Sequence, residues 1–306
     1  MTTPLKTTPD FASQMVNGIL AIKPLANLAK HQARQIMIKR AEKIGVFWTK
    51  EAEKLQARDW TNDLAQVQNP QLTYPDYYVI SFHAYETGNL SWQAAFEVES
   101  AAHAVHAKIW QDAEVQGDAK LRQSYHNILT SSISEPPKDI LDLGCSVGMS
   151  TFALQEIYPD ANITGLDLSP YFLAVANYRC QQHQAKINWV HAAAESTGMP
   201  DASFDLVSIF LMCHELPQLA TRKIFSEARR VLRRGGHLAI MDMNPKSEVY
   251  KKMPKYIFTL LKSTEPYLDE YFTLDIEQTL VGAGFQTPTI TSNSPRHRTI
   301  ITQVSG

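Results

Sequence analysis

Two glycines and two acids in the middle of the chain have the residue types and the spacing to bind a nucleoside. Asp142, Gly144 and Gly148 follow an apolar run and precede an amphipathic stretch. Glycines let the backbone turn tightly and approach a ligand closely, and the start of the following helix presents free N–H groups to that ligand. A second apolar run ends at Asp167, 23 residues after Gly144, where a carboxylate can accept hydrogen bonds from both ribose hydroxyls.

The spacing of the glycines indicates which class of nucleotide or nucleoside this turn can bind. A dinucleotide fingerprint has the form G-x-G-x-x-G, whereas Ser146 stands here where a middle glycine could be. The turn also lacks the G-K-[ST] of a phosphate-binding P-loop, and it has no Lys or Arg to neutralise a pyrophosphate. A pocket with an acidic lining therefore favours a cationic nucleoside over NAD or ATP.

The run from Asp142 to Gly148, followed by Leu166-Asp167-Leu168-Ser169, resembles the first two motifs of class I S-adenosylmethionine-dependent methyltransferases. Further motifs of that family follow in order at 194–200, 203–207 and 232–238. The resemblance covers about residues 138–306 and is to the small-molecule branch that includes quinone- and tocopherol-type methyltransferases. A NAD-type Rossmann domain and a decayed methyltransferase fold are the alternatives.

This resemblance implies S-adenosyl-L-methionine as the cofactor and assigns its binding to residues of several motifs. They are Asp142, Gly144, Cys145, Ser146, Gly148, Asp167, Leu168, Ala194, Glu195, Phe210 and Leu211. Ala193 stands where the small-molecule branch often has an acid.

Methyl transfer needs donor and acceptor to be aligned, and a base helps when the acceptor loses a proton. Ligands bind at the carboxyl ends of parallel strands, and two polar groups are predicted there. His214 is the first candidate for the base, with a strand-capping role as the alternative. Asp242 could orient that base or the substrate, or it could only cap the following turn. Arg296 and Arg298 could hold a carboxylate or phosphate of the substrate, or they could be plain surface charge.

An aromatic stretch that precedes these motifs is a candidate lid. Six Tyr, Phe and Trp residues lie between Tyr74 and Trp92. The family resemblance implies that segments before the first motif close over the cofactor and build the substrate pocket. His83, Tyr85 and Asn89 are the polar side chains expected to act there, and the first two join the catalytic candidates. Packing of the N-terminal helices on the sheet is the alternative role of the aromatics.

Alternating strand and helix patterns from residue 140 onward predict a parallel sheet with helices on both faces. Two runs, Thr287–Thr291 and Thr299–Val304, are joined by a hairpin-like link and give a closing reversed strand. We therefore predict the α/β class: a Rossmann-like class I methyltransferase sheet of seven strands, the last one antiparallel, with an N-terminal helical domain.

The domain boundary is predicted in the Ser- and Pro-rich stretch 130–138. Residues 1–130 would form a helical cap and substrate-lid domain, and residues 131–306 the cofactor-binding methyltransferase domain. Within the latter, the aromatic insertion 246–272 is expected to cover the acceptor pocket.

The first 71 residues are predicted to be mostly helical after a loose tail at 1–10. Residues 11–45 would form a basic helix broken at Pro24, and residues 46–71 would continue as a polar helix. The basic helix either packs on the catalytic domain or makes a weak peripheral contact with an anionic membrane.

We expect no metal site. His103 and His106 lie three residues apart on a helix that Ser91 should cap, with Glu99 one turn before His103. This arrangement matches no established metal motif, so packed or solvated side chains fit better. Three cysteines stand far apart without a C-x-x-C pair, which argues against zinc and disulfides and for a reducing, cytoplasmic location.

The overall composition agrees with an enzyme that acts on a small molecule. The chain has 306 residues, 44% of them apolar, and its net charge of −2 gives no general attraction to nucleic acid. We predict methyl transfer to oxygen or carbon of a small, lipophilic or aromatic acceptor. A protein methyltransferase, or a methyltransferase-like binding or assembly protein without turnover, are the alternatives.

Overall fold

The structure is a computed structural model that describes residues 23–83 and 85–305. The predicted tail and the first part of the predicted basic helix lie outside these residues. The strands are β1 (Asp139–Leu143), β2 (Asn162–Asp167), β3 (Ile187–His191), β4 (Phe204–Phe210), β5 (Leu232–Met243), β6 (Thr289–Ser292) and β7 (His297–Gln303).

The helices before the sheet are α1 (Lys23–Lys43), α2 (Trp48–Gln56), α3 (Thr61–Val67), α4 (Trp92–His106) and α5 (Gly117–Ser132). Those that alternate with or follow the strands are α6 (Met149–Ile157), α7 (Pro170–His183), α8 (Gln218–Val231), α9 (Glu248–Lys251), α10 (Lys255–Thr264), α11 (Leu268–Thr273) and α12 (Ile276–Gly282). Short 3-10 turns occupy Glu114–Gln116 and Cys213–Glu215.

Within the described residues, the strands form one seven-stranded sheet in the order β3-β2-β1-β4-β5-β7-β6. The strands from β3 to β5 in that order are parallel, whereas β7 runs antiparallel to both of its neighbours. This confirms the predicted fold class, including the reversed last strand. The β5–β7 register also places Asp242 opposite Arg298.

Helices cover both faces of the sheet because its central strands are apolar on both sides. One face is packed by α8, α11 and α12, and the other by α5 and α6. Tyr125 of α5 reaches the middle of β4, where its hydroxyl lies 3.0 Å from the hydroxyl of Ser208. Helix α5 is therefore part of the sheet's core, although most of it precedes the predicted boundary at residue 130.

The prediction of one polar helix over 46–71 is wrong, because the chain breaks between α2 and α3. The Trp60 indole donates a hydrogen bond to the Leu55 carbonyl at 2.7 Å, and the Asp59 carboxylate accepts one from the Thr61 amide at 3.0 Å. These bonds satisfy backbone groups that a helix end leaves free. Trp60 packs on Tyr178 of α7, with ring centres 5.4 Å apart, so this break fixes the N-terminal helices to the sheet domain.

Other predictions for the N-terminal region are met in the described part. Helix α1 confirms the helix from residue 23 onward, and Ser91 caps α4 by accepting a hydrogen bond from the Ala94 amide at 3.1 Å. Helix α1 leaves Leu28 and Ile36 exposed, and its contact with lipid stays a prediction. Among the described residues, no helix is both long and apolar enough to cross a membrane.

Replacing Gly117 with alanine should destabilise the joint between α4 and α5. A β-carbon at Gly117 would collide with the backbone of His106 and Ala107. Overpacking of this kind costs roughly 1–3 kcal/mol, so the Tm in a thermal melt should fall by several degrees.

The matched control is Gly282→Ala, because a β-carbon at Gly282 of α12 meets nothing within 4 Å. This variant should keep the wild-type Tm or raise it slightly, since alanine favours helix. Equal Tm values for Gly117→Ala and the wild type would contradict this description of the joint.

Candidate active site

The turn after β1 is held against the end of β2 by backbone hydrogen bonds. The amides of Gly144 and Cys145 donate to the carbonyl of Leu166, at 2.8 and 3.1 Å. Gly144 has a φ of +70°, and a β-carbon there would collide with Met212. Gly148 closes the turn with a φ of +88°. Both predicted glycines are therefore required by the conformation of this turn.

Asp142, in β1, ties this turn to the first residues of α6. It has no exposed surface and accepts hydrogen bonds from the hydroxyls of Ser150 and Thr151, at 3.0 and 2.7 Å. Burial raises the pKa of Asp142 to about 6, although the two hydroxyls favour its charged form. These two hydrogen bonds hold the turn after β1 against the start of α6.

Asp167, the predicted ribose acid, lies at the end of β2. Its two carboxylate oxygens accept hydrogen bonds from the amides of Ser146 and Ser169, at 2.7 and 2.8 Å. Burial raises its pKa to about 6, against these stabilising amides. A carboxylate oxygen has a second lone pair, so each can also accept from a ligand hydroxyl.

Glu195, in the segment after β3, is reached by the aromatic stretch that precedes α4. The Tyr77 hydroxyl donates to Oε1 of Glu195 at 2.5 Å, and Oε2 is buried without a partner. Ala194 is buried beside it, and Ala193 offers no carboxylate. Glu195 is therefore the acid that this strand end contributes.

The turn after β4 brings the imidazole of His214 into hydrogen-bonding contact with the carboxylate of Asp242, which is completely buried. Nδ1 of His214 donates to Oδ1 of Asp242 at 2.7 Å, and the His214 amide donates to Oδ2 at 3.2 Å. Burial alone would lower the pKa of His214, but Asp242 raises it to about 10. The hydrogen bonds to Asp242 therefore orient the imidazole, which is charged at neutral pH, and the catalytic role of the pair stays a prediction. Within residues 23–83 and 85–305, no group hydrogen-bonds to Nε2 of His214.

A second titratable cluster faces this pair. Nε2 of His83 lies 3.0 Å from Oε1 of Glu265 and 3.8 Å from Oε1 of Glu215. Burial lowers the pKa of His83, but Glu265 outweighs it and the net shift is upward. Burial raises the pKa of Glu215 to about 7. The His83 side chain is 38% exposed and the Glu215 side chain 22% exposed, so water reaches this cluster.

The aromatic stretch that carries His83 contacts three parts of the methyltransferase domain. The His83 amide donates to the Thr264 carbonyl at 2.8 Å, in the insertion 246–272. The Asn89 carbonyl accepts from the Ser169 hydroxyl at 2.8 Å, and the Asn89 amide group lies 3.4 Å from Glu215. The lid roles of His83 and Asn89 stay predictions, and these contacts favour them.

Tyr85 does not join this cavity cluster. Its hydroxyl donates to Glu97 at 3.0 Å, and Glu97 forms an ion pair with Arg34 of α1. Burial raises the pKa of Tyr85 well above its usual value, which makes it a poor proton acceptor. We therefore correct the prediction and assign Tyr85 to the packing of the N-terminal helices.

Several predicted cofactor contacts can involve only the backbone. The Phe210 ring packs on Tyr125 in the core, with ring centres 5.7 Å apart. Cys145 and Leu168 are buried, and burial raises the pKa of the Cys145 thiol. Leu211 has a φ of +56°, and its amide donates to the Met241 carbonyl at 2.8 Å.

The sequence prediction missed Glu215, Glu265 and Tyr77. Glu215 directly follows His214, and this adjacency was a usable signal, because a short turn after a strand presents neighbouring side chains to one cavity. Glu265 and Tyr77 lie in the two segments that were predicted to cover the site, but no motif singled out these two residues.

The described residues contain no group of three or more His, Cys, Asp or Glu side chains that could hold a metal ion. His106 and Glu99, whose spacing was compared with that of metal ligands, have other partners. Nδ1 of His106 donates to Asp118 at 2.7 Å. Glu99 forms an ion pair with Arg179.

Comparison with known proteins identifies a domain. Residues 140–236 match the family described as methyltransferase domain. Demethylmenaquinone methyltransferase of Thermus thermophilus is 30% identical over 114 residues, which are 37% of this chain and 51% of that protein. Residues 140–236 are thus a class I S-adenosylmethionine-dependent methyltransferase domain.

Another methyltransferase of this kind is also similar. Phthiotriol/phenolphthiotriol dimycocerosates methyltransferase of Mycobacterium leprae is 32% identical over 126 residues, 41% of this chain and 44% of that protein. The matched parts thus span about half the length of these two relatives. The PH0226 protein of Pyrococcus horikoshii OT3 has the same fold, with a TM-score of 0.51 and 14% identity over 66% of this chain and 99% of that one.

S-adenosyl-L-methionine is the cofactor of this family, and the cradle at the ends of β1, β2 and β3 fits it. Oδ1 of Asp142, Oγ of Ser146 and Oε2 of Glu195 are buried without hydrogen-bond partners. Unpaired buried polar atoms are rare in folded proteins, and a ligand or water can satisfy them. Asp167 and Glu195 give this cradle two carboxylates, which suits a cationic nucleoside.

Replacing Asp167 with asparagine should weaken the binding of S-adenosylhomocysteine. The variant loses the charge on the predicted ribose acceptor, and hydrogen bonds to charged groups contribute about 1.5–3 kcal/mol. Isothermal titration calorimetry should therefore give a Kd raised by about tenfold or more.

Asp160→Asn is the matched control, because Asp160 is exposed, and its Kd should not change. A wild-type Kd for Asp167→Asn, with a circular dichroism spectrum like that of the wild type, would rule out this ribose assignment.

Proposed function

We propose that this chain transfers the methyl group of S-adenosyl-L-methionine to oxygen or carbon of a small, lipophilic or aromatic acceptor. The observation that carries this proposal is the hydrogen-bonded His214–Asp242 pair at the ends of β4 and β5, which lies beside Glu215. When bound, the cofactor supplies a methyl group on a sulfonium. The residues of the cavity must then position the acceptor and remove its proton.

The two polar groups of this cavity suit different tasks. Asp242 keeps His214 charged at neutral pH, so its free Nε2–H can donate a hydrogen bond to the acceptor and stabilise negative charge on it. Glu215 has a pKa of about 7, which suits a group that accepts a proton near neutral pH. We therefore move the role of base, predicted for His214, to Glu215.

The aromatic insertion supports an apolar or aromatic acceptor. The rings of Tyr250 and Phe258 pack on Phe272, at 5.1 and 5.0 Å between centres. The ring of Tyr271, in the same insertion, lies 6.3 Å from that of His214. A cover of aromatic rings over a few polar groups is typical of a pocket for a small molecule.

The relatives support the same acceptor class. One is named for methylating demethylmenaquinone and another for phthiotriol and phenolphthiotriol dimycocerosates. A protein acceptor docked on the N-terminal helices, and a binding protein without turnover, are the alternatives that the next experiment tests.

Methyl-labelled S-adenosyl-L-methionine, the protein and a cell extract from its source should give label in the organic fraction. His214→Asn should reduce the rate of labelling by about 10²–10³-fold, because asparagine can keep the hydrogen bond to Asp242 but cannot replace the Nε2–H donor. Its affinity for S-adenosylhomocysteine should stay within about twofold of the wild type.

His31→Asn is the control for this substitution, because His31 is exposed on α1, and it should label as the wild type does. Label found only in protein would favour the docking alternative. Absence of label, with S-adenosylhomocysteine still bound, would favour the binding protein.

The rate of labelling should rise with pH through about 7. A base is active when it is deprotonated, so below the pKa of Glu215 the rate should fall about tenfold per pH unit. Glu215→Gln should lose this step and most of the rate, whereas Glu156→Gln, at an exposed position, should keep both. A wild-type rate that continues to rise up to about pH 10 would instead identify His214 as the base.

A further inference from the structure

We propose that the outer face of α10, formed by Tyr256 and Leu260, binds the surface of an anionic lipid bilayer together with the lysines that precede it. The binding itself is independent of methyl transfer. Only its purpose, access to a lipophilic acceptor held in that bilayer, rests on the proposed function.

The outer face of α10 is an exposed apolar stripe. Tyr256 and Leu260 are each 41% exposed. Residues four apart on a helix lie on the same face, one above the other, so the two side chains are neighbours. Among the helical side chains that the structure describes, this is the only pair of large apolar residues exposed one turn apart.

The opposite side of α10 packs on the protein itself. Thr259 is buried, and the ring of Phe258 packs on that of Phe272, with centres 5.0 Å apart. A surface helix with one packed apolar side normally exposes polar residues on the other. The outer face departs from this pattern, and a second apolar environment would account for it.

Lysines surround the outer face along the chain. Between residues 246 and 262 the sequence has five lysines and one acid, although the whole chain has a net charge of −2. Lys251, Lys252 and Lys255 are exposed, and Lys255 is the first residue of α10. The acid, Glu248, lies 3.0 and 3.5 Å from Nζ of Lys251 and Lys252. It offsets one positive charge and leaves the segment cationic.

Exposed apolar side chains beside several lysines fit an anionic bilayer better than a protein. The apolar residues can enter the boundary between headgroups and acyl chains, and clusters of about 4–8 basic residues bind anionic headgroups. Protein interfaces, in contrast, are depleted in lysine. Charge complementarity therefore favours the lipid surface.

Helix α10 also connects this surface to the catalytic residues. At its C-terminal end, the Thr264 carbonyl accepts a hydrogen bond from the His83 amide at 2.8 Å. The ring of Phe272, on which α10 packs, lies 6.1 Å from that of Tyr271, and the ring of Tyr271 lies 6.3 Å from that of His214. An acceptor that leaves the bilayer beside α10 would meet aromatic rings on its way to His214.

Helix α1, the basic helix considered for lipid contact from the sequence, fits that role less well in its described part. Its exposed residues Leu28 and Ile36 are two turns apart. Its Met37 and Ile38 pack against the buried cluster that contains Trp48. These contacts favour the packing role of α1, so we place the lipid contact at α10.

Flotation of the full chain with liposomes tests this proposal without any acceptor. Vesicles of phosphatidylcholine with roughly one-third phosphatidylglycerol should bind about tenfold or more of the protein that pure phosphatidylcholine vesicles bind at low salt. Roughly 1 M NaCl, at which the Debye length is about 3 Å, should remove most of the binding to the anionic vesicles.

Leu260→Gln, and Lys252→Gln combined with Lys255→Gln, should each lower the bound fraction by about fivefold or more. The matched controls are Leu28→Gln and Lys39→Gln, at exposed positions of α1, and they should bind as the wild type does. All variants should bind S-adenosylhomocysteine within about twofold of the wild-type Kd, which verifies that they fold.

Three results would overturn the proposal. The first is absence of flotation of the wild type with anionic vesicles. The second is normal flotation of Leu260→Gln with a loss in the α1 variants, which would move the lipid contact to α1. The third is a dimer in sedimentation velocity that Leu260→Gln dissociates, without vesicle binding, which would assign the outer face to a second copy. None of these measurements involves methyl transfer, so the proposed function would stand or fall separately.

Discussion

A carboxylate with no exposed surface at the end of β5 constrains the whole active-site edge. Burying a charge costs several kcal/mol unless donors surround it, and Asp242 collects them from the His214 side chain, the His214 amide and the Met243 amide. These bonds determine the shape of the turn after β4, which begins with the unusual positive φ of Leu211. The insertion of β7 between β5 and β6 then places the Arg298 cation opposite the same acid. Sheet topology and active-site electrostatics therefore depend on one another.

The catalytic cavity is completed by two segments that do not belong to the sheet. The aromatic stretch before α4 contributes His83, and the insertion after β5 contributes Glu265, 3.0 Å away. Together with Glu215, these groups form a cluster in which burial raises the pKa of Glu215, while carboxylate partners raise the pKa values of His83 and His214 against the effect of burial. Burial raises the pKa of an acid and lowers that of a histidine, and the ion pairs reverse the second effect. This opposition gives the site both a charged donor and a proton acceptor at neutral pH.

Features built from adjacent stretches of the sequence could be predicted, whereas most contacts between distant stretches could not. The glycine turn and Asp167 could be predicted, because strand, turn and helix follow one another along the chain. The contact of His214 with Asp242 could also be anticipated, because His214 follows β4 and Asp242 lies at the end of the neighbouring parallel strand β5. The pairs Tyr77–Glu195 and His83–Glu265 could not, because they join segments that are far apart in sequence and no motif pairs them. The break at Trp60 has a local signal in Asp59 and Thr61, but the packing of the indole on rings of α4 and α7 is not visible in the sequence.

The N-terminal region contacts the sheet domain in two different ways. We call the apolar packing around Trp60 the anchor, and the hydrogen-bonded aromatic stretch before α4 the roof. The anchor is apolar: Trp60 packs among Trp92, Phe96 and Tyr178, and moving it would expose large rings to water. The roof is held by hydrogen bonds, including those of Tyr77 to Glu195 and of His83 to Thr264. Such bonds contribute about 0.5–1.5 kcal/mol each, or about 1.5–3 kcal/mol when the acceptor is a carboxylate such as Glu195, because water replaces them when they break. Breaking these few bonds therefore costs less than exposing the aromatic rings of the anchor.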